Sequence, residues 1–477
     1  MKVLFKTYIY FLFTLLLLVS CKKDMTNGKG DFAFIGGEII NPNSDFITLS
    51  KFSCTLDTVW LDTDNRFLYK VEGLDAGLYS FEHGGEYQTV LLEPNDSIML
   101  RLNTMDFDES LVFTGNGAKK NNYLINMFLE TEVENEKVLK YSQDSPDNFE
   151  ALLDSIRAVK TKKLQAFNTK HGDSEMFNEI AQANIDYMYY DSKEIYPFAY
   201  YGNNELNNLK SLPEHFYSYR GDIDYNNVLI QDYYPYYTFL RHHFDNMALS
   251  EHFKHSDESH FKRNSLCYNF DKINLIDSLT NNQFIKDRLL YHYVIRYVNY
   301  TENLEGCDKL IKTYLSKSKN EDNKKHIARL TKSLKQLKRD STFPNFKVID
   351  QYNSEIEVLS LIDKPTVFYF WNYALKGHFI ESHSKINDLR KKYPEFEFIG
   401  ININSSETSN WKKTLKQYHF PIENEYQFSN PDKAKDEIAL NSITKVMVTD
   451  KEGKIAISNS NLFDVNFERK LLGVINK

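Results

Sequence analysis

The period of the hydrophobic positions changes along the chain, and the changes divide it into regions. From Phe32 to Thr114 apolar residues come in short runs or alternate with polar ones, as in Ser97-Ile98-Met99-Leu100-Arg101-Leu102. Phe32–Ile40, Phe46–Ser50, Phe67–Val71, Gly77–Phe81 and Thr89–Leu92 read as further strands, set off by turns such as Asn41-Pro42-Asn43 and Glu93-Pro94-Asn95-Asp96. Strands this short and regularly spaced predict a small antiparallel sandwich over 32–117. From Asn121 to Arg339 the spacing turns helical. Leu124, Met127, Phe128 and Glu132 mark one helix, and Phe149, Leu152, Leu153 and Ile156 the next, entered through Ser145-Pro146-Asp147. Phe177, Ile180, Ala181, Ile185 and Met188 mark a third, expected to end at Ile195-Tyr196-Pro197. A lysine-rich stretch, Lys309–Lys338, carries Leu310, Ile311, Leu315, Ile327, Leu330, Leu334 and Leu337 and closes an all-helical region assigned to 118–340.

Over 341–477 strands and helices alternate. Lys364-Pro365-Thr366-Val367-Phe368-Tyr369-Phe370-Trp371 reads as a buried strand, His378–Tyr393 as a helix, Phe396–Asn404 as a second strand and Trp411–Tyr418 as a second helix. Ile443–Asp450 and the residues from Ile455 form a hairpin about a polar turn. The expected fold is multidomain α+β: a β-sandwich-like domain, a helical domain and a C-terminal α/β domain. This last part, from Pro344 on, resembles the thioredoxin-fold domains of extracytoplasmic thiol-disulfide oxidoreductases of the TlpA/ResA type. The resemblance rests on the lead-in Phe343-Pro344-Asn345-Phe346, the strand ending Tyr369-Phe370-Trp371, and the hairpin closing on Asp450 and Gly453. That family writes its active site as Trp-Ala-(Ser/Thr)-Trp-Cys-x-x-Cys. Here the same place reads Trp371-Asn372-Tyr373-Ala374-Leu375-Lys376-Gly377-His378. By this resemblance Leu375 stands at the attacking cysteine, His378 at the resolving one, and Thr444 at the family's cis-proline. Disulfide exchange needs a thiolate and a second thiol to resolve the mixed disulfide, so the resemblance implies a redox-inactive domain. With the turn Glu93-Pro94-Asn95-Asp96 before a strand and the segment Phe113-Thr114-Gly115, residues 32–117 also resemble a domain of unknown function that precedes such domains in Bacteroidota, which implies a folded spacer or docking module.

The N-terminal stretch reads as export machinery. Lys2 and Lys6 flank an apolar run from Val3 to Val19, too short and wrongly flanked for a membrane span, which ends Leu18-Val19-Ser20-Cys21. This resembles a bacterial lipobox, in which 1–20 is the signal peptide, Cys21 is lipidated, and 21–31 is a polar tether. Two or more acyl chains give firm anchoring. The localisation expected is the cell envelope, as an outer-membrane lipoprotein facing either the periplasm or the surface.

Composition narrows the function classes. The 477 residues carry a formal charge of -8 that is spread along the chain, leaving no basic field for nucleic acid. Tyrosine-rich turns such as Tyr187-Met188-Tyr189-Tyr190 and Tyr233-Tyr234-Pro235-Tyr236-Tyr237 admit two readings: interhelical packing, or an aromatic groove for a protein or glycan. His252 and His255 stand one helical turn apart beside carboxylates, but so polar a stretch reads as a solvated loop, and no metal site is assigned. His242 and His243 read as packing, Cys54 as a buried lone thiol, and Cys267 and Cys307 as unbridged. No catalytic residue and no cofactor are assigned. The principal expectation is a non-catalytic, membrane-anchored protein that binds an envelope protein or peptide. Its candidate groove is a shallow patch lined by Trp371, Tyr373, Leu375 and Thr444, which could equally pack on the helical region. The alternative is an enzyme: a thiol-disulfide oxidoreductase using a cysteine from elsewhere, or another chemistry at His378 with Glu381 orienting its imidazole.

Overall fold

The computed structural model describes residues 31–52, 54–172, 174–202, 212–256, 261–300, 304–404 and 409–475. The first region holds β1 (Phe32–Ile40), β2 (Phe46–Lys51), β3 (Cys54–Trp60), β4 (Arg66–Glu72), β5 (Gly77–His83), β6 (Glu86–Leu92), β7 (Ser97–Asn103) and β8 (Val112–Asn116). They form two four-stranded sheets, in the orders β4-β1-β7-β8 and β3-β2-β5-β6. Alternation along β7 sends Ile98, Leu100 and Leu102 inward, against a core that includes Phe81, Val90 and Leu92. The pairing is antiparallel except for β1 and β7, which run parallel with Ile35 opposite Ile98. The expected sandwich thus holds one parallel pair among its antiparallel ones, for which the intervening strands provide the long crossover required. At Gly37 an added Cβ would overlap the Leu100 carbonyl, so glycine sets how closely these two strands approach. β3 lies at a sheet edge and is almost wholly exposed, so it has no apolar alternation by which to recognise it. Cys54 opens this edge strand and is exposed, which corrects the expectation of a buried thiol.

The helical region contains α1 (Ala118–Tyr141), α2 (Pro146–His171), α3 (Glu175–Tyr200), α4 (Tyr234–His255), α5 (Leu266–Leu279), α6 (Gln283–Tyr300), α7 (Leu304–Lys317) and α8 (Glu321–Gln336), with a 3-10 segment at Glu214–Asp222. Pro197 does not end α3. It sits in the last turn, where its ring has helical geometry available and its carbonyl still accepts from the Tyr201 N–H at 3.0 Å. Tyrosines pack between the helices: Tyr190 stacks on Tyr219 at 4.3 Å between ring centres, and Tyr187 meets Tyr236 at 4.8 Å. Several of their polar ends are satisfied inside the protein. The hydroxyls of Tyr196, Tyr236 and Tyr268 donate to the carbonyls of Asp144, Asp224 and Asp245 at 2.6, 2.7 and 2.8 Å.

The C-terminal part is a seven-stranded sheet in the order β10-β9-β13-β12-β11-β14-β15. Its strands are β9 (Lys347–Ile349), β10 (Glu355–Glu357), β11 (Thr366–Trp371), β12 (Glu397–Asn402), β13 (Glu425–Phe428), β14 (Lys445–Thr449) and β15 (Ile455–Asn461). Helices α9 (Lys376–Lys392), α10 (Asn410–Gln417), α11 (Pro431–Glu437) and α12 (Phe467–Ile475) complete it. β11 pairs parallel with β12, β12 parallel with β13, and β14 antiparallel with β11, which is a thioredoxin-like topology. Every residue of β11 is buried, as expected of a central strand covered on both faces. On one face Val367, Tyr369 and Trp371 meet Phe379 and Trp411, while on the other Phe368 and Phe370 join a core continuous with that of the helical region.

Candidate functional site

The site built from the sequence is the junction between β11 and α9. Two asparagines shape it: Asn404 donates to the Asn372 side-chain oxygen at 2.9 Å, and that oxygen accepts from the Ala374 N–H at 2.8 Å. The chain then turns, with the Leu375 N–H donating to the Asn372 carbonyl at 3.1 Å, and the Leu375 carbonyl accepts the Phe379 N–H as the helix begins. Leu375 therefore stands at a helix N-terminus with its side chain 42 % exposed. His378 follows in the first turn of α9. Its ring meets Phe463 edge-on at 6.0 Å, and neither ring nitrogen has a hydrogen-bond partner among the described residues. Burial, helped by nearby His383 and opposed by Glu381, pushes the His378 pKa down, so the imidazole is neutral. Glu381 thus does not orient His378 through a hydrogen bond, as the enzymatic alternative required.

Thr444 reaches the same end of the sheet. Its carbonyl accepts the Leu462 N–H at 2.9 Å, and Phe463, the next residue, is the one that touches His378. No peptide bond among the described residues is cis. Tyr373 is half-buried against the apolar core of this face. Trp371 departs from the expected patch. It is fully buried and cannot line a surface, because the strand that carries it is covered on both sides.

What Trp371 does instead is hold a carboxylate that the sequence reading missed. Glu425, at the start of β13, is buried, and its Oε2 accepts the Trp371 indole N–H at 2.9 Å. Its Oε1 accepts the hydroxyl of Tyr369, with His383 Nε2 at 3.6 Å and Arg390 Nη2 at 4.0 Å. Burial and the neighbouring carboxylate together drive the Tyr369 phenol well above its ordinary pKa, keeping it a donor. A Cβ at Gly400 would overlap both the Glu425 carboxylate and the Tyr369 ring, so this glycine clears the space in which the carboxylate lies. The signal available in the sequence was faint: one glutamate opening a four-residue strand.

The remaining candidates separate. His243 Nδ1 pairs with fully buried Glu194 at 2.6 Å, and His242 Nδ1 with Asp191 at 2.6 Å, so both are bound into the helical core. His252 and His255 are not in a solvated loop. They lie in the last turns of α4, with His252 fully buried, because Ala248, Leu249 and His252 share the face that packs inward. Neither Cys267 nor Cys307 is in a disulfide; Cys267 is exposed, and Cys307 is buried, its thiol pushed up to about 11 by burial. Cys21 and the rest of the lipobox lie outside the described residues. No described helix is long and apolar enough to cross a membrane.

No family model matches the chain, and no curated protein matches it. Solved structures similar to part of it include a proposed thiol-disulfide oxidoreductase from Bacteroides vulgatus, at 18% identity and a TM-score of 0.27 over 29% of this chain and 98% of that one. A thiol:disulfide interchange protein from Bacteroides sp. is 16% identical, with a TM-score of 0.24 over 30% of this chain and 90% of that one. An uncharacterized thioredoxin-like protein from Porphyromonas gingivalis is 17% identical, with a TM-score of 0.25 over 28% of this chain and 89% of that one.

Proposed function

We propose that this chain is a membrane-anchored envelope lipoprotein whose thioredoxin-like domain binds a protein or peptide partner without exchanging disulfides. The observation that carries the reading is Leu375, an apolar side chain 42 % exposed at the helix N-terminus where such a fold would present a thiolate. Nearby His378 is neutral and has no thiol to activate. Phe463, in contact with His378, is 39 % exposed, and Val465 two residues on is 93 % exposed, which gives the same end of the domain apolar surface for a partner. Anchoring follows from the lipobox-like Leu18-Val19-Ser20-Cys21.

The test is co-purification of the tagged full chain in mild detergent, beside a Leu375→Lys/Phe463→Lys variant. A partner retained by the parent and lost from an equally stable variant supports the reading; identical partners, or none, defeat it. Thiol-disulfide exchange, the activity named for solved structures of similar fold, is the second reading. It would have to use Cys54 or Cys267, the exposed thiols among the described residues.

A further inference from the structure

We infer that His252, His255, Cys267 and Asp271 form a zinc site that clamps the end of α4 to the start of α5. The four residues come from two adjoining helices in a regular arrangement. His252 and His255 are three apart in the last turns of α4, and Cys267 and Asp271 are four apart in the first turns of α5, so each pair occupies one helix face. One donor atom from each of the four lies within 4.8 Å of the other three. Asp271 is 3.2 Å from His255 Nε2 and 3.6 Å from His252 Nδ1, and Cys267 Sγ is 3.6 Å from His255 Nδ1. A tetrahedral zinc shell with Zn–N near 2.0 Å and one Zn–S near 2.3 Å separates its donors by about 3.3–3.6 Å. Because His255 can give a metal only one of its two nitrogens, its contacts to Asp271 and Cys267 are not both donor pairs of one shell; with one donor atom from each residue the spread is within 4.8 Å, so the widest gap needs to close by about an ångström.

The chemistry of the set fits zinc better than a hard cation. Two imidazoles, one thiol and a single carboxylate favour a borderline-soft metal, whereas calcium and magnesium take oxygen shells. Four protein ligands leave no open position, which is the form of a structural site. Binding would take the proton from the Cys267 thiol and release it to solvent, so affinity rises with pH. Access is available from outside: His255 is 42 % exposed and Cys267 is exposed, while His252 forms the buried floor. Behind the cluster Ala248, Leu249, Phe261 and Tyr268 make a small apolar core, and the His252 ring meets those of Phe261 and Tyr268 at 6.4 and 5.9 Å. A metal here would fasten two helix ends, with the His252 ring already set by packing against Phe261 and Tyr268.

Cys267, His255 and Asp271 in sequence could also be arranged as a nucleophile, base and orienting acid. His252 distinguishes the two, since a triad has no use for a second imidazole converging on the same carboxylate. The two exposed thiols then provide an internal control. On the full chain, freed of metal with a chelator, Zn2+ is expected to protect Cys267 from alkylation while Cys54 is labelled as before. Co2+ is expected to bind once per chain at this cluster, with tetrahedral visible bands and a thiolate charge-transfer band that Cys267→Ser abolishes. Asp271→Asn should weaken Co2+ at least tenfold. Cys267 labelled equally with and without Zn2+, or a cobalt spectrum unchanged in Cys267→Ser, overturns the site. Because protection is read on the unmutated chain, a variant that fails to fold does not blur the outcome.

Discussion

The indole N–H of Trp371 donates to Glu425 Oε2 at 2.9 Å, inside a face of the thioredoxin-like sheet that no solvent reaches. A carboxylate buried in this way is costly unless its oxygens are filled, and here Tyr369 and Trp371 fill them while Arg390 and His383 approach with positive or titratable character. Truncation would strand two donors at once. Glu425→Ala is expected to destabilise the domain by about 3–5 kcal/mol, and Glu425→Gln by less. Trp371 and Trp411 are both buried here whereas Trp60 is 67 % exposed, so the tryptophan emission shift in urea reports this domain. An unchanged midpoint for Glu425→Ala would show that the carboxylate is not held as described. Gly400→Ala should be similarly damaging, because its methyl group would enter the same space.

Lys445 gives a prediction for alkaline pH. It follows Thr444, is buried, and donates to the carbonyls of Ile438 and Ala439 at 2.8 and 3.2 Å, just past the end of α11. Burial pushes its pKa down to about 7, against about 10.4 in an unfolded chain. Below about pH 7 both states hold the proton and the whole cost of burying the ammonium is present. Between there and about pH 10 the unfolded chain binds the proton that the folded one has released, so stability climbs with pH, by on the order of 4–5 kcal/mol in total. Lys445→Met should abolish that climb. Its effect at pH 6 is a smaller gain than the full cost, since two carbonyls lose their donor. Parallel pH–stability curves for parent and variant would refute the assignment.

Acid pH tests the helical region through Glu194. Its Oε1 accepts from Tyr219, from Arg220 Nε and from His243, at 2.9, 2.9 and 2.6 Å. Burial alone would raise its pKa, but Arg220 and His243 outweigh it and hold the carboxyl at about 2. Since the folded value is depressed, the contribution is complete above the unfolded value near 4.3 and is lost as pH falls toward 2. It amounts to about 3 kcal/mol. Arg220→Ala should destabilise at pH 7 by about 3–5 kcal/mol and flatten the acid limb between pH 4 and 2. Circular dichroism across that range would read it, and an acid limb as steep as the parent's would contradict the pairing.

How much of this was readable before folding depends on how local the causes are. β11 was legible because Val367, Phe368, Tyr369, Phe370 and Trp371 are all buried, and a continuous apolar run is what a strand covered on both faces requires. β13 was not legible, since four residues give no period and the partners of Glu425 lie on β11, 54 and 56 residues away. The His252 stretch misled for a different reason. Glu251 and Lys254 face solvent as an ion pair and make the segment look like a loop, while Ala248, Leu249 and His252 repeat at helical spacing on the buried side. Weighing the spacing above the polarity would have placed the helix correctly. The parallel pairing of β1 with β7 could not be read either, because alternation within a strand does not depend on its neighbour's direction.

The last prediction concerns redox chemistry at the β11–α9 junction. Leu375 and His378 are three residues apart across the start of a helix, so cysteines at both places would lie close enough to bridge. A thiol at position 375 would also sit at a helix N-terminus, which favours its ionised form. The parent chain should therefore show no insulin reduction above buffer, and the same should hold for His378→Ala. The double variant Leu375→Cys/His378→Cys should form an internal disulfide under mild oxidation, seen as the loss of two alkylatable thiols, whereas each single variant should gain one. Disulfide formation would show that the backbone still has the shape a thiol pair needs and that side-chain chemistry alone silences it. Failure of the double variant to bridge would mean that the junction has drifted from that shape. Turnover by the parent, abolished by Cys267→Ser or Cys54→Ser, would mean that a thiol elsewhere does the chemistry and that the binding reading is wrong.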